Sequence, residues 1–252
     1  MGTSQSLSLK KTPQWSSAKR AMTGIIRNPE DGHYISSFMK KFLNALGEDG
    51  LYRGYGNFPQ ERYGTRGVGR NSFGSAGSKA INNLVFFISS VRSVGISPTL
   101  SLLITDPEQR PQTPQELIYS LCIQDSIDTD ATFDEGAAAV AKKKVLAEMF
   151  KECATVDAVE EMLKQVDEAT INKWIIDFEV EYIVEDQASL FQTHIFDKGV
   201  NPAKICAEIK RWLHRELDRR LSDEMTHINV FSEEGARYID TLTSRILEIW
   251  QQ

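Results

Sequence analysis

The sequence predicts an all-α fold, and three observations carry that prediction. Apolar residues recur at three- and four-residue intervals over long stretches, the period of one helix face. Helix-start chemistry, with Ser, Thr or Asn ahead of Pro or acidic residues, stands at the head of several of these stretches. Hardly any stretch alternates apolar and polar residues as a half-buried strand does, apart from residues 228–231. The expected architecture is one or more bundle-like multi-helix domains, preceded by a disordered N-terminal tail and interrupted by a Gly/Arg-rich irregular segment.

Residues 1–14 form the tail, because Thr3, Ser4, Gln5, Ser6 and Ser8 bury too little apolar surface to offset the entropy of ordering them. Trp15, Ala18, Met22, Ile25 and Ile26 then keep helical spacing, with Ser16 or Ser17 as the expected cap. Asn28-Pro29-Glu30-Asp31 reads as the next helix start: a capping Asn, Pro at the first position and acids in the first turn. Ile35, Phe38, Met39, Phe42, Leu43 and Leu46 supply its apolar stripe, and Gly47 is expected to end it. Residues 53–79 break the pattern. They hold seven of the 16 glycines, five Lys/Arg and a single acid, Glu61, which predicts a turn-rich loop. Ile81, Leu84, Val85, Ile88 and Val91 mark the helix after it.

Residues 96–112 carry Pro98, Pro107 and Pro111 and read as a linker. Beyond it Thr113-Pro114-Gln115-Glu116 is a capping box with Pro at the first helical position. Apolar-periodic segments follow over about 134–153, 156–166, 170–197, 202–225 and 233–250, with Thr155, Asn201 and Ser232 as caps. Trp174, Phe178, Trp212, Leu213 and Ile246 are the expected core of this part. The implied division is a tail (1–14), a basic helical region (15–95), a linker (96–112) and an acidic helical domain (113–252).

A chain of 252 residues, 41% hydrophobic, is long enough to bury a proper core. Cys122, Cys153 and Cys206 are odd in number and far apart, so they read as reduced core residues, not a disulfide frame. The longest apolar run, residues 84–88, is far too short to span a bilayer, and no apolar signal region opens the chain. The expected location is the cytoplasm. The net charge of −6 is unevenly spread: residues 1–95 hold 13 Lys/Arg against 5 Asp/Glu, and residues 96–252 hold 16 against 30. Halves of +8 and −14 either attract each other or face different partners.

A search for catalytic chemistry returns little. Glu30-x-x-His33 and Glu224-x-x-His227 have the spacing of carboxylate-bridged metal sites, yet one lies in an opening turn beside Gly32 and the other straddles a helix end. No metal is expected. A phosphate loop fails because Gly74 is followed by Ser75 and Lys79 comes too late, and Ser72 stands where a dinucleotide loop needs its third glycine. With no nucleophile elbow either, neither enzymatic activity nor a cofactor is expected. The Gly/Arg strip, interleaved with Tyr52, Tyr55, Phe58, Tyr63 and Phe73, suits stacking on bases or draping over an acidic surface. Asp177, Glu181 and Glu185 fall four residues apart and read as a solvated acidic face or a dock for that strip; Trp174, Phe178 and Tyr182 beside them read as core. Arg211, Arg215 and Arg219, mixed with Glu208, Glu216 and Asp218, read as a solvated face.

Met1-Gly2-Thr3-Ser4, a polar tail closing on Pro13-Gln14-Trp15, and a Gly/Arg-rich segment from Tyr52-Arg53-Gly54 to Gly74-Ser75-Ala76-Gly77 together resemble the QatB family of the bacterial Qat anti-phage defence system. The resemblance covers about the first third of the chain. It implies a non-enzymatic component acting beside a QueC-like protein (the QatC-type partner), an ATPase and a TatD-like nuclease. QueC-type enzymes use ATP to activate a deazaguanine carboxylate for attack by ammonia. Once Met1 is removed, the Gly2 amine is expected to take ammonia's place, since an α-amine titrates near ~7.7–8.0 against ~10.4 for lysine. On this reading Thr3, Ser4 and Gln5 enter the partner's active site, Pro13 and Trp15 anchor the tail's base, and Arg53, Arg62, Arg66 and Arg70 meet the partner's surface. Two other readings stay open. The pattern M-G-x-x-x-[ST], closed by Ser6, marks Gly2 for myristoylation, with Lys10, Lys11, Lys19, Arg20 and Arg27 as the electrostatic second signal. Alternatively, Arg62, Arg66 and Arg70 hold a nucleic-acid backbone.

Overall fold

The computed structural model describes residues 13–48, 75–104, 106, 110–123, 133–196 and 201–249. Their regular structure is wholly helical: α1 (Pro13–Arg27), α2 (Gly32–Glu48), α3 (Ser75–Val94), α4 (Ile96–Leu103), α5 (Pro114–Ile123), α6 (Phe133–Met149), α7 (Val156–Gln165), α8 (Glu168–Phe196), α9 (Pro202–Met225) and α10 (Glu233–Ile249). The all-α prediction holds, and no strand occurs among the described residues.

Most predicted helix starts are made by the residues that predicted them. The Glu116 N–H donates to Thr113 Oγ1 at 3.2 Å, while Glu116 Oε2 accepts the Thr113 N–H at 3.3 Å and the Gln112 N–H at 2.7 Å, completing the capping box. Thr155 accepts from the Ala158 N–H (3.1 Å), Asn201 from Ala203 (3.0 Å) and Ser232 from Gly235 (3.1 Å), which caps α7, α9 and α10.

Five expectations are corrected. Helix α1 opens at Pro13, where a missing N–H costs nothing, so Ser16 and Ser17 lie inside the helix and do not cap it. Residues 28–31 are a turn: the Asp31 N–H donates to the Asn28 carbonyl (3.3 Å), and it is Asp31 that caps α2, its Oδ1 accepting the His33 N–H at 2.9 Å. Asn followed by Pro opens β-turns as readily as helices, and here the turn wins. Of the predicted irregular segment, residues 75–79 are the first turns of α3, and 53–74 lie outside the described residues. Of the predicted linker, residues 96–103 are α4. Gly95, at φ +90°, separates α3 from α4, and Pro98 falls in the first turn of α4, where backbone N–H groups have no intrahelical acceptor. Residues 228–231 also turn and form no strand: the Phe231 N–H donates to Asn229 Oδ1 at 2.9 Å and the Ser232 N–H to the Asn229 carbonyl at 3.0 Å.

The cap of α4 comes from another helix. The Ile96 N–H donates to Glu160 Oε2 of α7 at 2.9 Å, and Lys164 holds the same carboxylate at 2.5 Å. Lys164, helped by the Ile96 N–H, keeps the Glu160 carboxyl below the usual carboxylate range. A depressed carboxyl contributes stability that is complete above the ordinary carboxylate range and is lost as pH falls through it. Urea unfolding at pH 7 and pH 3 should therefore show a smaller acid-induced loss of stability for Glu160→Gln than for the parent. Equal losses would mean that this carboxylate does not tie α7 to α4.

Packing joins what composition divides. Trp15 at the start of α1 meets Phe42 near the end of α2 edge-to-face, centroids 6.0 Å apart, so the two helices form an antiparallel hairpin. Helix α3 packs on α4, α6, α7, α8 and α10, while α1 touches α8 and α2 touches α9. One contiguous apolar cluster results, running from Trp15 to Ile246, so the basic and acidic regions share a core. Phe178, Leu213 and Ile246 are fully buried as predicted, whereas Trp174 and Trp212 are half-buried at its edge. Two buried polar pairs link core helices: Thr243 of α10 donates to Glu179 of α8 at 2.8 Å, and Lys142 of α6 donates to the Leu121 carbonyl at the end of α5 at 2.8 Å. The three cysteines are free and partly buried, and burial pushes the Cys153 and Cys206 thiols up. No described helix is long and apolar enough to cross a membrane.

Candidate functional site

The acidic row of α8 is the centre of the site. Asp177, Glu181 and Glu185 share one face because four residues make slightly more than one helical turn. Helix α8 lies between α6 and α9, and each neighbour turns a face of the same spacing toward that row: Lys144 and Glu148 from α6, Lys210 and His214 from α9. Lys144 Nζ sits 3.2 Å from Glu181 and also contacts Glu185. Lys210 Nζ reaches Glu181 at 2.6 Å from the other side, and His214 Nδ1 lies 3.4 Å from Asp177 Oδ1. The row is thus a seam between three helices, which corrects its reading as a solvated face.

The seam's charges are unevenly balanced. Burial pulls the Lys144 ammonium down, but the hydrogen bond to Glu185 and the charge of Glu181 outweigh it and hold the group above its ordinary value. Asp177 shows the opposite outcome: burial pushes its carboxyl up, His214 and Lys173 pull it back, and Asp218 and Glu148 add to the rise. Glu181 is therefore doubly countered by lysines, while Asp177 has only the half-exposed imidazole directly against it.

Beside Asp177 the three helices leave a cavity of about 230 Å³, lined by Lys144, Val145, Glu148, Trp174, Asp177, Glu181 and His214. Trp174 and Val145 are its apolar lining residues, and the others are charged or titratable. Elsewhere the arginines of α9 behave as a mixed surface, Arg211 pairing with Glu208 and Arg219 with Glu216 at 2.7 Å. Glu224 is engaged by Arg245 and accepts from the Tyr238 hydroxyl at 3.4 Å, and burial beside that carboxylate pushes the phenol up to about 12.

Of the residues the sequence singled out, Gly2, Thr3, Ser4, Gln5, Arg53, Arg62, Arg66 and Arg70 lie outside the described residues. Pro13 is exposed at the first turn of α1. Trp15 is only 2% exposed and packs into the core, so its side chain offers nothing for a partner to touch; it fixes the point from which the preceding residues leave. Lys144, Glu148, Lys210 and His214 were not foreseen. Their four-residue spacing was readable, but no local pattern tells which helices will sandwich α8. Comparison with family models, curated proteins and solved structures finds no match to this chain.

Proposed function

We propose that this chain is a non-enzymatic component of an anti-phage defence system, which docks a QueC-like partner and presents Gly2 for attachment of a deazaguanine-type base. The N-terminal and Gly/Arg motifs that resemble the QatB family suggest the role, and the burial of Trp15 is the observation that carries it onto this fold. With Trp15 locked against Phe42, the twelve residues before Pro13 start from a fixed point on a packed body. A fully extended chain of that length reaches about 40 Å at ~3.3 Å per residue, enough to enter a deep cleft while the body stays outside. Among the exposed apolar side chains of the body are Phe86 of α3, Leu102 of α4 and Tyr119 of α5, at 58%, 73% and 68%.

In the proposed reaction the partner adenylates the base's carboxylate with ATP, releasing pyrophosphate. The unprotonated Gly2 nitrogen attacks the carboxyl carbon, AMP leaves, and the nitrogen loses a proton as the amide forms. An ATPase and a TatD-like nuclease of the same system are the further proposed partners. The test is the mass of the N-terminal peptide from the full chain, incubated with and without the QueC-like protein and ATP. The expected result is removal of Met1 and a mass gain on Gly2 equal to the deazaguanine carboxylic acid less one water, absent from Gly2→Glu. Unmodified Gly2 in every sample overturns the proposal. A myristoyl increment, or steeply salt-dependent DNA or RNA binding lost when Arg62, Arg66 and Arg70 are neutralised, would put one of the alternatives in its place.

A further inference from the structure

We infer that the α6–α8–α9 cavity is a binding site for an organic cation of side-chain size, an alkylammonium group held between the Trp174 ring and the carboxylates of Asp177 and Glu148. Size is the first argument. Pockets for drug-sized ligands run to roughly 300–1,000 Å³. At about 230 Å³ this one suits a guest no larger than a single extended side chain. Charge is the second. Three carboxylates line it, and Lys144, the one lysine on its wall, is already committed to Glu181 and Glu185. Lys210 is committed to Glu181 from outside the cavity. The charge left for a guest is chiefly that of Asp177, which faces only His214 directly; Glu148 is 68% exposed and shares its carboxylate with Lys151 at 2.5 Å. The third argument is the half-buried Trp174, since an indole sharing a cavity with carboxylates suits an ammonium group and its apolar stem together. Burial raises the Asp177 carboxyl, and a bound cation relieves that, as Lys144 does for its own acids. An anion, by contrast, would sit among the carboxylates and have to take Lys144 from them. The groups facing Asp177 are His214 and Asp218 on α9, Lys173 on α8 and Glu148 on α6; two of the four are acids.

This inference goes beyond the proposed docking role and is tested on the isolated full chain, whatever happens at Gly2. The probes are n-butylammonium, N-acetyl-lysine methylamide and acetate, titrated at pH 7.5 against the indole N–H resonance of Trp174, assigned by its loss in Trp174→Phe. The expected result is a saturable shift with butylammonium, with a Kd on the order of 1 mM. Asp177→Asn should weaken it about tenfold, and Lys144→Met should strengthen it severalfold, because removing a cation from a cation site lowers its electrostatic penalty. Each variant's folding is confirmed by its thermal transition, and the two changes of opposite sign cannot both come from loosened packing. Binding of butylammonium and the lysine derivative points to a lysyl side chain as the guest; binding of butylammonium alone points to a free amine. Either supports the site. No shift with either amine, a shift with acetate instead, or weaker binding in Lys144→Met overturns it.

Discussion

Replacing Trp15 with alanine is expected to lower the unfolding free energy by about 3–5 kcal/mol, the range for truncating a buried aromatic in a packed core. Trp15 is 2% exposed, and its ring meets Phe42 edge-to-face; Phe42 in turn packs on Phe38 with centroids 5.7 Å apart. Ala18, Ala21, Met22 and Ile25 follow Trp15 on the buried side of α1, but two of these are alanines, so the indole supplies much of the area that holds α1 down. For a chain of 252 residues each kcal/mol moves Tm by roughly 2–4 °C, so a fall on the order of 10 °C follows. Phe86→Ala is the matched control: that ring is 58% exposed, and its loss should stay within about 0.5 kcal/mol. Chemical denaturation of both variants decides the matter. If Trp15→Ala unfolds at the same denaturant concentration as Phe86→Ala, α1 is not docked as described. On the proposed function the same substitution also slows Gly2 modification, because the root of the presented segment is no longer fixed.

How much of this was legible depends on the range of each interaction. The helices α5 to α10 could be read with their starts within about two residues and the ends given for α6 to α10 within about four, since both the apolar period and the capping side chains act within one or two turns. Thr113 with Glu116, and the caps Thr155, Asn201 and Ser232, are local chemistry that tertiary packing did not override. Misreadings arose where one local signal serves two structures. Asn28-Pro29 opens a turn as well as a helix, and Pro98 reads as a breaker although the first turn of α4 tolerates it. Trp15 shows a different limit: it read both as the start of the apolar spacing of α1 and as the anchor of the tail's base, and its packing against Phe42, 27 residues away, makes it core. The seam was the least legible. Asp177, Glu181 and Glu185 look solvated until Lys144 and Lys210 arrive from helices on either side, and those partners are fixed by packing order, which periodicity does not encode.

Packing order also sets the second large effect. Gly235, third residue of α10, is expected to tolerate no side chain: Gly235→Ala should cost about 3 kcal/mol, with a fall in Tm on the order of 6–12 °C. A Cβ built there lies against the Asn229 carbonyl oxygen and 2.6 Å from Val230 Cα. These are backbone atoms, and they cannot swing aside as a side chain would. They are also held in place, because Asn229 accepts the Phe231 N–H on its side chain and the Ser232 N–H on its carbonyl, while the Gly235 N–H is taken by Ser232. Relief requires opening the turn that brings α10 back from α9, and Val230 within that turn is 3% exposed. Gly136 in α6 provides the contrast. A Cβ there meets nothing within 4 Å, and a helical glycine replaced by alanine reduces the entropy of the unfolded chain, so Gly136→Ala should stabilise by about 0.4–1 kcal/mol. One substitution chemistry thus gives opposite signs at two helical sites, read by thermal unfolding of both variants against the parent. A neutral Gly235→Ala would show that the α9–α10 turn yields more easily than its hydrogen bonds imply.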